Sequence, residues 1–136
     1  MVAIAVNPFI MRDCTFSVAA DNYEAHLSGV EFVPTTPSVQ FKGLTPTSVH
    51  NFPGSSTWLA NLAFAQDWST ADSLSRYLHE HEGEKVEVVF APKNGGPSIT
   101  ATISVVPGSI GGQVDQVAAA TVSCPVDGKP VLAPVV

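Results

Sequence analysis

A length of 136 residues suits one domain that can bury a core, and 45% hydrophobic against 13% charged residues excludes a disordered chain. The net charge is −6, and the six basic residues (Arg12, Lys42, Arg76, Lys85, Lys93 and Lys129) stand singly. That scatter argues against a nucleic-acid binder, which needs clustered Lys and Arg to displace counterions from phosphates. The uncharged remainder of Ser, Thr, Gly, Pro and Ala suits close packing against another protein surface.

Residues 1–11 are apolar but have no basic start, are broken by Pro8 and run into Arg12 and Asp13. They read as neither a signal peptide nor a bilayer span, so a soluble, cytosolic product with no membrane partner is expected. Residues 15–19 alternate Phe16 and Val18 with small polar residues, the pattern of a half-buried strand. Asp21 and Asn22 predict a turn, and 25–33 a second strand in which Gly29 marks a bulge or a close neighbouring backbone.

Between 34 and 56 the chain changes character. Pro34, Pro37, Pro46 and Pro53 interrupt it, yet Val39, Phe41, Leu44, Val49 and Phe52 are embedded among its Thr and Ser residues. A segment this long without structure is uncommon in a compact domain unless it has a task. Two readings stay open: an arm that docks on another subunit, or a loop folded over its own core. In the first, Thr36, Val39, Phe41, Leu44, Val49 and Phe52 are the subunit-interface candidates.

Residues 57–68 predict the strongest strand, apolar on both faces and so covered on both. Ser69 is a candidate N-cap for a helix with Asp72 in its first turn. Leu74, Tyr77, Leu78 and His81 form its apolar stripe, and Gly83 is its C′ residue. Strands follow at 85–91 and 98–106, joined by the turn-forming sequence of 92–97, then a loop at 107–116 and a strand at 117–124. A last turn at Asp127-Gly128 precedes Val131 and Leu132. The order points to a mainly β (α+β) domain spanning 1–136, a sandwich or small barrel with one flanking helix.

Catalytic and metal chemistry find little footing. His79 and His81 point about 200° apart on a helix and cannot share one ion. Cys14 and Cys124 have no CxxC spacing; either they pair as a disulfide or they are two buried thiols. Gly54-Ser55-Ser56 lacks the second glycine of a nucleophile elbow, and the glycines at 111–112 lie between strands with no helix to receive a phosphate. No cofactor, metal or catalytic residue is expected.

The strand ending Gln66-Asp67-Trp68, the helix with Leu74, Tyr77 and Leu78, the 86–90 strand with its Pro-Lys-Asn-Gly-Gly-Pro turn, and the closing Gly128-Lys129-Pro130 carry a resemblance. Residues 57–132 resemble the major tail proteins of long-tailed, non-contractile bacteriophages, the subunits of the tail tube. The resemblance implies a sandwich with one helix, six copies closing edge to edge into a ring, and rings stacking around a tape-measure protein. It implies tail terminator and baseplate proteins as further partners, and a virion protein made in the host cytoplasm. It also implies an acidic channel that DNA crosses without specific binding, for which Glu31, Glu84, Glu87 and Asp115 are candidates.

Two other readings compete. A capsid decoration protein is also small and β-rich, but makes no stacked rings. A carbohydrate-binding sandwich would use Trp58, Trp68 and Tyr77 as platforms, although their place inside periodic elements favours the core.

Overall fold

The computed structural model describes residues 2–134. In chain order its elements are β1 (Thr15–Val18), β2 (Asp21–Asn22), β3 (Leu27–Thr35), β4 (Ser38–Lys42), β5 (Val49–Pro53), β6 (Thr57–Ala65), α1 (Leu74–Glu80), β7 (Lys85–Ala91), β8 (Ile99–Ser104), β9 (Ala119–Pro125) and β10 (Val131–Leu132). They form a five-stranded sheet in the order β10-β8-β7-β1-β2, a three-stranded sheet β3-β6-β9 and a two-stranded ribbon β4-β5. Every pairing is antiparallel.

Period-two alternation aims one face of each large sheet inward. β6 buries Ala60, Leu62 and Phe64, and β9 buries Ala120, Val122 and Cys124. From the five-stranded sheet come Phe16, Val18, Val88, Phe90, Ala101 and Ile103. The two sets meet face to face: the Phe90 ring lies 6.2 Å from Phe32 and 6.3 Å from Phe16. Leu74 and Leu78 of α1 complete the core, each such burial worth about 1.5–3 kcal/mol. The result is a mainly β sandwich with one short flanking helix. On one side the sheets touch through a bridge between Ile103 and Val126, and the Asp127 N–H donates to the Thr102 carbonyl at 2.7 Å. The opposite side, between β1 and β3, stays open as a cleft.

Several sequence expectations shift. The first turn is Ala19-Ala20, with Ala19 at φ 55°, and Asp21 and Asn22 belong to β2. The strand expected at 57–68 ends at Ala65, and its outer face is not covered throughout among the described residues: Leu59 is exposed there and Asn61 and Ala63 are half-buried. The bulge expected near Gly29 is present, with the register slipping between Leu27 and Gly29.

The helix begins later than Ser69 because Asp67 captures the intervening residues. One carboxylate oxygen accepts from the Ser69 N–H (3.1 Å), the Ser69 hydroxyl (3.0 Å) and the Thr70 N–H (3.2 Å), an Asx turn that competes with helix. Bonds from Thr70 and Ser69 lower the carboxyl pKa to about 2. The N-cap is Ser73, whose buried hydroxyl accepts from the Arg76 N–H (3.4 Å) and donates to the Asp67 carbonyl (2.5 Å). Asp72 therefore lies before the helix. His81 is the C-cap, and Gly83 at φ 86° lies two residues past it, its N–H bonded to Val105 at 3.0 Å.

Both thiols are free. Cys14 donates to the Pro92 carbonyl at 3.1 Å, while Cys124 lies in the core, where burial pushes its pKa up.

Candidate assembly surfaces

The hairpin of β3 and β6 does not stop at the sandwich. Beyond its last pair, Thr35 opposite Thr57, the Thr36 and Ser56 hydroxyls meet at 2.6 Å and the Gly54 N–H donates to Pro37 at 2.7 Å. Pairing then resumes from Ser38 opposite Pro53 to Lys42 opposite Val49, leaving Ser55 as the one unopposed residue at the junction. Such a bulge increases local twist and re-aims the ribbon. A Cβ on Gly54 would come within 2.7 Å of Pro37 Cγ, so glycine permits this close approach. Residues 34–56 are thus an arm continuous with the central hairpin, and every residue of β4 and β5 is exposed. The arm does not fold back over its own core.

Opposed residues of an antiparallel pair share a face. Val39 with Phe52, and Phe41 with His50, give the arm one apolar face. The other face holds Gln40 bonded to Asn51 (3.0 Å), with Lys42 opposite Val49. The Gly43 N–H donates to the Ser48 carbonyl at 2.7 Å to close the tip, where Leu44 is 108% exposed. Of the six interface candidates, Val39, Phe41 and Phe52 share the apolar face, Leu44 sits at the tip, Val49 lies on the reverse, and Thr36 bonds at the base.

A second exposed apolar surface occupies the other end of the three-stranded sheet. The 106–118 loop enters β9 at Ala119, which pairs with Ala65, eight residues along β6 from Thr57, the residue opposite Thr35. At about 3.4 Å per residue the two ends are separated by about 27 Å. Gly108 seats the loop: a Cβ there would lie 2.7 Å from Phe64 Cζ and 3.2 Å from Val122 Cγ1. Gln66 pins it, accepting from the Gly111 N–H (2.9 Å) and donating to the carbonyls of Gly111 (2.9 Å) and Ala119 (3.0 Å). The Gln66 carbonyl oxygen also takes the Trp68 indole N–H at 3.2 Å. Held in this way, the loop presents Ile110, Val114 and Val117 to solvent. The sequence places Gln66 inside the strand expected at 57–68 and among the residues that carry the resemblance, but does not mark it as the anchor of this loop.

The outer edges of β3 and β9 have no strand partner among the described residues, whereas the five-stranded sheet ends in the two-residue strands β2 and β10. Val2, Ile4, Val6, Phe9 and Ile10 are exposed in a segment without regular structure.

The four acidic candidates do not converge within one copy. Glu31 pairs with Asn61 on the outer face of the three-stranded sheet, while Glu87 pairs with Thr102 on the outer face of the five-stranded sheet, across the sandwich. Glu84 follows α1 and engages His81, and Asp115 sits in the 106–118 loop at φ 65°.

The open side of the sandwich holds a cleft of about 360 Å³ lined in part by Met11, Cys14, Phe16, Glu24, Leu27 and Phe90. Its carboxylate Glu24 accepts from the Phe16 N–H (3.3 Å), and its thiol donates to the Pro92 carbonyl. His79 packs edge-on to Trp68 (6.3 Å) while His81 stacks on Tyr77 (4.4 Å), so the two histidines diverge. Tyr77 continues to Tyr23 at 6.1 Å, and burial, then nearby carboxylates, push both phenols up. Trp58 and Trp68 are half-buried. Among the described residues no group of three or more His, Cys, Asp or Glu is placed to hold a metal ion, and no helix is long and apolar enough to cross a membrane.

No family model matches the chain, and no curated protein matches it in sequence. Solved structures do share its fold. A chain of the virion of a native gene transfer agent particle superposes with a TM-score of 0.67 at 12% identity, over 90% of this chain and 96% of that one. A chain of the sheath–tube complex of the PVC extracellular contractile injection system, in its extended state, gives 0.65 at 13% identity over 94% and 93%. A chain from that system's sheath/tube terminator gives 0.61 at 11% identity over 96% and 100%. The protein therefore shares its fold with components of a virion and of an injection apparatus.

Proposed function

We propose that this protein is a structural tube subunit that closes into hexameric rings and stacks into the tail tube of a long-tailed, non-contractile bacteriophage or related particle. It acts there as a conduit for DNA and catalyses no reaction. The observation that carries this reading is the arm: a two-stranded ribbon standing off the sandwich with an apolar face in water. An isolated two-stranded ribbon is at best marginally stable, and an uncovered apolar face on one is a place for a partner.

The long unpaired edges of β3 and β9 support ring closure. Exposed edges are ordinarily blunted because they aggregate, and joining β3 of one copy to β9 of the next turns that liability into a contact. In this reading the outer face of the three-stranded sheet lines the channel, with Glu31 on the wall. A charge of −6 per copy repels phosphates and eases sliding of DNA. Tape-measure, tail terminator and baseplate proteins are the further partners that the reading implies. The shared fold with chains of a gene transfer agent virion and a contractile injection system supports the tube role.

Negative-stain microscopy of the concentrated protein tests the proposal. Hollow tubes or six-fold rings are expected; a monodisperse monomer under all conditions overturns it. Deleting residues 36–52 is expected to leave a folded domain that no longer stacks.

A further inference from the structure

The arm and the 106–118 loop lie at opposite ends of one sheet, and each exposes apolar side chains that nothing among the described residues covers. Within a copy the two surfaces do not meet, because the arm continues the sheet away from the loop as a paired ribbon that is exposed along its whole length. Between copies they can, in a head-to-tail contact, which propagates without limit when its rotation does not close. We infer that the arm of one copy docks on the 106–118 loop of the next, and that this is the contact between stacked rings. The inference rests on the tube reading and names the receiving surface for its arm.

Three properties of the two surfaces agree. The first is reach: from Thr35 to the tip at Leu44 the arm spans nine residues, about 30 Å of extended chain, enough to cross a ring boundary. The second is polarity, since Phe41, Leu44 and Phe52 on the arm find a matching apolar set in Ile110, Val114 and Val117. The third is charge. Lys42, beside the tip and on the ribbon face opposite Phe41 and Phe52, is the only Lys or Arg in residues 34–56, which contain no Asp or Glu; Asp115 is the only charged residue in 106–118, so a tip seated on the loop brings the two together from its reverse side. A single cation meeting a single anion fixes register and suppresses wrong pairings more than it adds affinity.

The receiving surface is also pre-formed. Gln66 and Gly108 hold the loop to the sandwich, so docking does not have to order it.

Disulfide trapping tests the inference. A disulfide forms only where Cα atoms come within about 7 Å, so Leu44→Cys is paired in turn with Ile110→Cys, Val114→Cys and Val117→Cys, all at exposed positions. Single variants control for Cys14 and Cys124, and mass spectrometry maps the links after mild oxidation of assembled protein. At least one pairing is expected to yield a ladder of covalent multimers joined from position 44 to the loop. Tubes that form with no such link in any of the three pairings overturn the inference and leave the tube reading standing. Protein that stays monomeric with no link overturns both. As a second readout, Lys42→Glu is expected to raise the concentration needed for tubes about three- to tenfold at low salt, and less at high salt. No change at either salt concentration removes the Lys42–Asp115 pairing from the inference.

Discussion

The side-chain amide of Gln66 exchanges two hydrogen bonds with the backbone of Gly111, mimicking a strand pair 45 residues away in sequence. The same amide donates to Ala119 and accepts from Trp68. One side chain therefore ties the end of β6 to the 106–118 loop, to the start of β9 and to the turn leading into α1. Replacing it by Ala leaves the Gly111 N–H to solvent and frees the loop. Gln66→Ala is expected to cost about 1–2 kcal/mol and to remove hydrogen-exchange protection at Gly111 while β6 amides keep theirs. Unchanged protection at Gly111 would show that Gln66 does not anchor the loop.

Gly108 holds the same loop by absence of a side chain. A methyl group there meets Phe64 and Val122, both core residues with little room to yield. Gly108→Ala is expected to destabilise the fold by about 1–3 kcal/mol, the usual range for overpacking. At this chain length that corresponds to a Tm drop of about 2–4 °C per kcal/mol, readable by calorimetry. Gly112→Ala, whose Cβ would lie 3.9 Å from the Ala118 Cα, serves as the tolerant neighbour.

Asp67 makes the α1 approach acid-sensitive. Its carboxyl titrates at about 2 in the folded protein against 3.8 ordinarily, because Thr70 and Ser69 bond to the ionised form. A depressed folded pKa contributes stability that is present above the unfolded value and disappears as pH falls through the folded one. The stability difference between wild type and Asp67→Asn should therefore be constant from pH 5 to 7, shrink as pH falls below about 4 and level off once the pH is below about 2. A difference that does not vary with pH would show that the Asx turn does not depend on the charge.

The legible part of the fold was the part that alternation writes. Phe16 with Val18, and Val88 with Phe90, each announce a face by period two and join the core, whereas the 57–68 stretch is apolar on both faces and so announces a strand without saying which face is covered. The helix start was misread because Ser69 and Asp72 make a plausible cap in sequence. Only the three bonds to one Asp67 oxygen reveal that the turn claims those residues first. The arm was legible as a segment but not as a direction, since prolines and scattered apolar residues suit both a projecting ribbon and a folded-back loop. The acidic candidates show the limit most clearly: Glu31 and Glu87 look equivalent in sequence, yet the sandwich separates them onto opposite outer faces. Sequence separation says nothing about face once strands from different sheets are compared.

Phe41 and Phe52 give the clearest separation of folding from assembly. Both rings sit on the exposed face of the arm and neither belongs to the core, so polar replacement removes no packing from the sandwich. Phe41→Ser with Phe52→Ser is therefore expected to leave the Tm within about 1–2 °C, as surface substitutions usually change stability by no more than about 0.5 kcal/mol. Assembly should respond in the opposite sense, because buried aromatic anchors dominate contact energies and losing two commonly costs more than about 2 kcal/mol, over tenfold in association. Sedimentation velocity and microscopy at matched concentrations read the result: rings without tubes mark the arm as the stacking element. Tubes of wild-type abundance from the double variant would show that the arm's apolar face does not carry the stacking contact.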